Sequence, residues 1–255
     1  MRFASLGSGS RGNGSLFAAD DTCLLIDCGF TLKETEARLA RLNLSAENLS
    51  AVLVTHEHGD HIKGVGALAR KYRLPVYSSF GTRHAVAGGR QSLDEVDWHE
   101  LRPGRALTLG AIEVLPVPVP HDAREPCQYV LRHRQRQCGL LTDLGSTTPH
   151  LVEAYRHCDA LLLECNHDVK MLADGPYPPS LKRRVGGDYG HLNNQQAADF
   201  LRQLERHHLQ QLVLSHLSEH NNTAALALAA ITPIVGDARV RVAAQDEGMD
   251  WQEIA

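Results

Sequence analysis

The chain has 255 residues, 43% of them apolar, which suits one domain with a substantial core. Its formal charge of −4 argues against a protein that coats nucleic acid nonspecifically, so any phosphate partner has to be met by a local basic patch. Six cysteines (Cys23, Cys28, Cys127, Cys138, Cys158, Cys165) without a C-x-x-C pair exclude a zinc ribbon and a disulfide scaffold; with no apolar stretch near ~18 residues and no apolar leader after Met1, the expectation is a cytoplasmic protein with reduced thiols and no membrane span.

In chain order, strands are predicted at Arg2 to Leu6, Ser15 to Ala19 and Cys23 to Asp27. A capping box at Thr31-Leu32-Lys33-Glu34 opens a helix with Leu32, Thr35, Leu39 and Leu42 on one face. The apolar run Ala51 to Val54 reads as a buried strand ending at His56, and Val65, Leu68, Ala69 and Tyr72 mark the helix after it. Strands follow at Ala106 to Leu109, Ile112 to Pro116, Leu140 to Asp143, Leu161 to Glu164 and Leu212 to His216. Helices fill the gaps from Thr148-Pro149 to about Arg156, over Ala197, Phe200, Leu201 and Leu204, and from Ala224 to Ala230. Met171 to Gly190, rich in proline and glycine, reads as a long irregular loop. Short apolar runs without strict alternation indicate sheets covered on both faces; two sheets packed face to face, with helices outside, accommodate the order in a single domain spanning 1–255.

Several of these strands end in a residue that can do chemistry, which puts a site where strands finish. The densest case is Thr55-His56-Glu57-His58-Gly59-Asp60-His61. Three imidazoles and a carboxylate in six residues are costly to place together unless a cation holds them. The H-E-x-x-H pattern of a zincin fails, because position 60 is Asp60. What remains, H-x-H-x-D-H, lets a turn aim His56 and His58 at one ion and Asp60 and His61 at a second.

Two other features invite a ligand. Gly7-Ser8-Gly9-Ser10-Arg11-Gly12 matches a dinucleotide fingerprint in letters, but a strand follows it rather than a helix, so that fold is rejected. The turn is either a plain connection or a nest of backbone N–H groups that binds phosphate with help from Ser8, Ser10 or Asn13. Lys182-Arg183-Arg184 is either a solvated face or a basic lip for substrate phosphates, contacted through Lys182 and Arg184, and His191 beyond it is placed to donate a proton to a leaving oxygen or to touch the phosphoryl group.

Asp27, the motif from His56 to His61, His121 in Pro120-His121-Asp122, Asp143 in Thr142-Asp143-Leu144-Gly145 and His216 in Leu214-Ser215-His216 together resemble the metallo-β-lactamase superfamily, over nearly the whole chain. Leu6 to Asn13, Glu164-Cys165-Asn166-His167-Asp168, Gly190 to Asn194 and Leu214 to Asn222 resemble its YycJ/WalJ-like branch of bacterial metallo-hydrolases, associated with 5′-to-3′ DNA exonuclease action.

The resemblance implies a four-layer αββα sandwich of two mixed sheets. It also implies that His56, His58 and His121 hold one metal, that Asp60, His61 and His216 hold another, that Asp143 bridges them, and that Asp27 orients the ligand loop from behind. Asp60 and His191 are the expected catalytic residues. Zinc or manganese would serve, and iron is compatible; hydroxide shared by two ions would be the nucleophile. The expected substrate is DNA. The alternatives are a small-molecule hydrolase of a cyclic phosphodiester, lactone or thioester, and a binding module without turnover.

Overall fold

The computed structural model describes all 255 residues. The chain opens as a meander in which β1 (Arg2–Gly7), β2 (Gly14–Ala19) and β3 (Thr22–Ile26) pair antiparallel in order. Helix α1 (Leu32–Arg41) follows, started by the Thr31–Glu34 capping box, and returns the chain to β4 (Ala51–Leu53), parallel to β3. A single turn, α2 (Gly59–Ile62), and α3 (Val65–Tyr72) lead to β5 (Val76–Ser79); α4 (Phe80–Val86) leads to β6 (Trp98–Leu101), and these strands continue the parallel run.

A second meander, β7 (Leu107–Leu109), β8 (Ile112–Pro118), β9 (Cys127–His133) and β10 (Arg136–Leu141), starts the other sheet. Helix α5 (Pro149–Tyr155) precedes β11 (Ala160–Glu164), and α6 (Val169–Asp174), α7 (Pro179–Val185) and α8 (Asn194–Gln203) precede β12 (Gln211–Ser215). Helix α9 (Ala224–Val235) connects to β13 (Val240–Val242), and β14 (Met249–Glu253) crosses back to lie beside β1.

The result is two mixed seven-stranded sheets, ordered β14-β1-β2-β3-β4-β5-β6 and β13-β12-β11-β10-β9-β8-β7. Because strand side chains alternate between faces, Leu24, Ile26 and Leu53 point into a cluster between the sheets with Val114, Leu140 and Val213. Their neighbours Leu25 and Val52 point the other way, onto Leu39 and Leu68 of α1 and α3. Leu161, Leu163 and Leu214 likewise face Leu151, Phe200 and Ile231 of α5, α8 and α9. Both faces of each sheet are covered, which gives the αββα sandwich.

The structure corrects three expectations. Met171 to Gly190 is mostly helical: Asp168 accepts from the Met171 N–H to cap α6, and Pro179 stands at the start of α7, where its missing N–H costs nothing. Strands expected to end at Asp27, Asp143 and His216 stop one or two residues earlier, because these residues adopt left-handed backbone with φ of 62°, 54° and 54°. The last helix runs on to Val235 through Pro233.

Candidate metal centre

Strands β3, β4, β10, β11 and β12 are mutually parallel within their sheets and deliver Asp27, His56, Asp143, Glu164 and His216 to one end of the sandwich. Left-handed backbone at three of these positions is uncommon for residues with a Cβ, and here it turns side chains away from the sheet plane. The ligand loop is held against this end by close packing. The Asn13 N–H donates to the Asp60 carbonyl at 2.8 Å, and a Cβ on Gly29 would lie 1.7 Å from that same oxygen, so only glycine fits there.

Four of the five imidazoles are oriented by the nitrogen that faces away from the centre. His61 Nδ1 lies 2.7 Å from Asp27 Oδ2. Thr55 Oγ1 donates to Asp27 Oδ2 at 2.8 Å, so it accepts from His56 Nδ1 at 3.0 Å. His121 Nδ1 donates to the Gly190 carbonyl at 3.1 Å and His216 Nδ1 to Glu164 Oε1 at 2.9 Å. These contacts hold the Nδ1 protons outward and leave four Nε2 atoms turned inward, each with a lone pair once its ring is neutral. His58 differs: its Nδ1 is the inward atom, 3.3 Å from His121 Nε2.

The inward atoms form groups whose members lie within 4.8 Å of one another: His56 with His58 and His121, Asp60 with His61 and His216, and His56 with His61 and Asp143. Asp143 touches both sets: it groups with His56 of the first and with His61 of the second, 3.3 Å from His61 Nε2. Three of the converging atoms, His56 Nε2, Asp143 Oδ2 and His216 Nε2, are buried without a hydrogen-bond partner. Buried polar atoms are seldom left unpaired. Their convergence in a set of five imidazoles and two carboxylates is the donor chemistry of divalent transition metals.

Without cations, histidine protons balance the acids. Burial alone would lower His216, but Asp143, Asp60 and Glu164 push it up to about 10. His61 is raised well above the usual imidazole range, against its burial, by Asp143, Asp60 and Asp27. Asp143 and Asp60 are held below the ordinary carboxylate range by these same histidines, although burial opposes it. His56 and His121, dominated by burial, are pushed down and stay neutral.

Beside these groups opens a cavity of about 400 Å³, with His58, Asp60, Asp143, His191 and His216 at its floor and Arg184 on its wall. His191 is anchored through Nδ1 on Glu164 Oε1 at 2.9 Å; burial would lower its pKa, but Glu164 and Asp143 raise it. Arg184 Nε is paired with Asp122 Oδ2 at 2.5 Å.

Three residues expected at the substrate lie elsewhere. Ser8 is buried and its Oγ accepts from the His216 N–H at 2.8 Å. Asn13 is buried, with its amide 3.2 Å from Asp60 Oδ2 and 3.1 Å from His61 Nε2. The turn is no open nest either: the Gly9 N–H donates to Asn13 Oδ1, the Arg11 N–H to Gln245 and the Gly12 N–H to Gly9, and Ser10 is the residue of this turn at the cavity wall. Lys182 turns away from the cavity and donates to the Ala173 carbonyl at 2.6 Å.

Glu164 is the residue the sequence reading left without a role. Fully buried, it accepts from the N–H groups of Asp143, Leu144 and Leu192 and from His191 and His216. Its signals in the sequence are a carboxylate at the end of an apolar strand and its place in the segment Glu164-Cys165-Asn166-His167-Asp168.

A family model described as a beta-lactamase superfamily domain matches residues 22–217. Exodeoxyribonuclease YycJ of Bacillus anthracis is 37% identical over 235 residues, covering 92% of this chain and 89% of that protein. Exodeoxyribonuclease WalJ of Streptococcus pneumoniae is 35% identical over 229 residues, covering 89% of this chain and 85% of that protein. Among solved structures, the metallo-beta-lactamase fold protein YhfI from Bacillus subtilis is similar with a TM-score of 0.73 over 99% of both chains; at 21% identity this is a likeness of fold. No helix is long and apolar enough to cross a membrane.

Proposed function

Because the chain belongs to the metallo-β-lactamase superfamily, in its YycJ/WalJ-like branch, we propose that it is a metal-dependent phosphodiesterase acting on DNA as a 5′-to-3′ exonuclease. The observation that carries this reading is the convergence of partnerless buried imidazole and carboxylate atoms on a cavity that also presents Arg184 and His191. Identity along nearly the full length of two proteins named as exodeoxyribonucleases supports DNA among the substrates such a site could take.

In this reading His56, His58 and His121 would hold one divalent ion and Asp60, His61 and His216 a second, with Asp143 between them; zinc, manganese and iron all suit the set. Bound there, the ions would polarise a phosphoryl oxygen and lower the pKa of water. The protein's own groups do the rest. Asp60 presents its carboxylate to the cavity from the start of α2, where its negative charge can orient an attacking water by accepting a hydrogen bond. His191, whose pKa Glu164 raises against burial, faces the cavity with its other nitrogen and can protonate a leaving oxygen. Arg184, steadied by Asp122, can meet a phosphate oxygen at the wall.

The test is a panel of 5′-labelled duplex DNA, a generic phosphodiester and a thioester, each with zinc or manganese. Loss of the 5′ label as mononucleotide is expected. Intact DNA alongside turnover of the thioester would refute the reading.

A further inference from the structure

Helix α7 divides the basic run. Leu181, Arg184 and Val185 face the metal cavity, whereas Lys182, Arg183 and Gly186 line a second cavity of about 310 Å³ on the helix's other side, the separation that 3.6 residues per turn imposes. Val169 of α6 stands at its edge, 59% exposed, one of four exposed large apolar side chains in the molecule. His167 lines it too, only 2% exposed, with Nδ1 lacking any partner. Its Nε2 faces Gly186, where a Cβ would come within 3.9 Å. Neither cation is held by an acid: Lys182 donates to a backbone carbonyl, and neighbouring Asp174 is paired with Lys170.

Two unneutralised cations beside an exposed apolar side chain and a buried imidazole match the two halves of a nucleotide, its phosphate and the face of its base. We infer that this second cavity is a subsite for an unpaired DNA strand, with Lys182 and Arg183 on the phosphates and Val169 with Leu172 under a base. A helix diameter of ~10 Å separates it from the metal cavity, which roughly three stacked nucleotides span. A base lying on Val169 and Leu172 has to be out of its duplex stack, so DNA reaches this subsite as a single strand. The inference rests on the exonuclease reading.

The experiment measures binding of a fluorescently labelled single-stranded DNA between 50 and 200 mM salt, for the full-length protein and for Lys182→Gln/Arg183→Gln. Losing two contacts at ~0.7 each should reduce the slope of log K against log salt by ~1.4 and weaken binding ~25-fold at 0.1 M salt. A second variant, Val169→Asp, should weaken binding further by placing a carboxylate beside the phosphates. Melting temperature and metal content report that each variant is folded. If the unsubstituted protein cuts DNA but both variants bind with its slope and affinity, the subsite is refuted alone. If the unsubstituted protein shows no salt-dependent DNA binding, the exonuclease reading falls and takes the subsite with it.

Discussion

Replacing Glu164 by Gln tests whether this buried carboxylate organises the centre. Its Oε1 accepts from the Asp143 N–H, His191 and His216, and its Oε2 from the Leu144 and Leu192 N–H groups. A glutamine amide has one acceptor and one N–H₂ donor, so whichever way it turns, at least two of these donors face another donor. Each buried donor left unpaired costs ~1–3 kcal/mol, so the substitution should destabilise the protein by at least ~2 and up to ~6 kcal/mol. That is a large fraction of a typical stability of ~5–15 kcal/mol.

Loss of the charge has a second effect. Glu164 is the largest influence raising His191 against its burial, so in Glu164→Gln burial prevails and the His191 pKa falls. A group that acts as the acid fails above its pKa, so the alkaline limb of the kcat–pH profile should move to lower pH. Urea unfolding of the metal-free protein gives the first quantity and the pH profile the second. A stability within ~0.5 kcal/mol of the unsubstituted protein, together with an unmoved alkaline limb, would show that Glu164 organises nothing.

Other expectations concern the ligands and their supports. Asp143→Ala should lower metal content and reduce activity by more than ~100-fold, beyond what loss of a supporting residue produces; elemental analysis showing a full complement of metal would refute its place between the two sets. Thr55→Val removes the hydroxyl linking Asp27 to His56 Nδ1 and should weaken metal binding ~10–100-fold, with Thr55→Ser restoring it. His216 is raised to about 10 in the metal-free protein, above the ordinary ~6.5. The stability it contributes is therefore fully present below ~6.5 and lost as pH rises through about 10, and metal must displace its proton. Titration calorimetry should then show proton release and tighter metal binding from pH 7 to 9; affinity that does not change with pH would contradict this charge state. Gly29→Ala forces a Cβ onto the Asp60 carbonyl and should cost at least ~1–3 kcal/mol and disorder the ligand loop, read by thermal unfolding.

Much of the architecture was legible because both covered faces of the sheets demand apolar runs. Leu24 to Ile26, Leu161 to Leu163 and Leu212 to Leu214 announce themselves wherever they occur. The strands that went unread are those whose sequences mix character. In β9, buried Gln128 and the charged Arg132 and His133 interrupt the apolar pattern, and β14 is a polar edge strand of Asp250, Gln252 and Glu253 around Trp251. Prolines 178 and 179 looked like loop residues, yet Pro179 sits at the one position of α7 that favours proline.

The sequence by itself pointed to the candidate donors. His56, His58, Asp60 and His61 are adjacent, so local spacing suffices to recognise them, whereas His121, Asp143 and His216, with Asp27 behind the ligand loop, are singled out by the family resemblance. Only the tertiary structure decided which atom of each donor faces inward, because that depends on partners distant in the chain: Asp27 behind His61, Gly190 behind His121 and Glu164 behind His216. It also decided that Ser8 supports the His216 backbone and Asn13 the ligand loop from within, and that α7 sends Arg184 to one cavity and Lys182 and Arg183 to another. A side chain's direction is set by the twist of its own element and by what packs against it, and neither is written in the residues on either side.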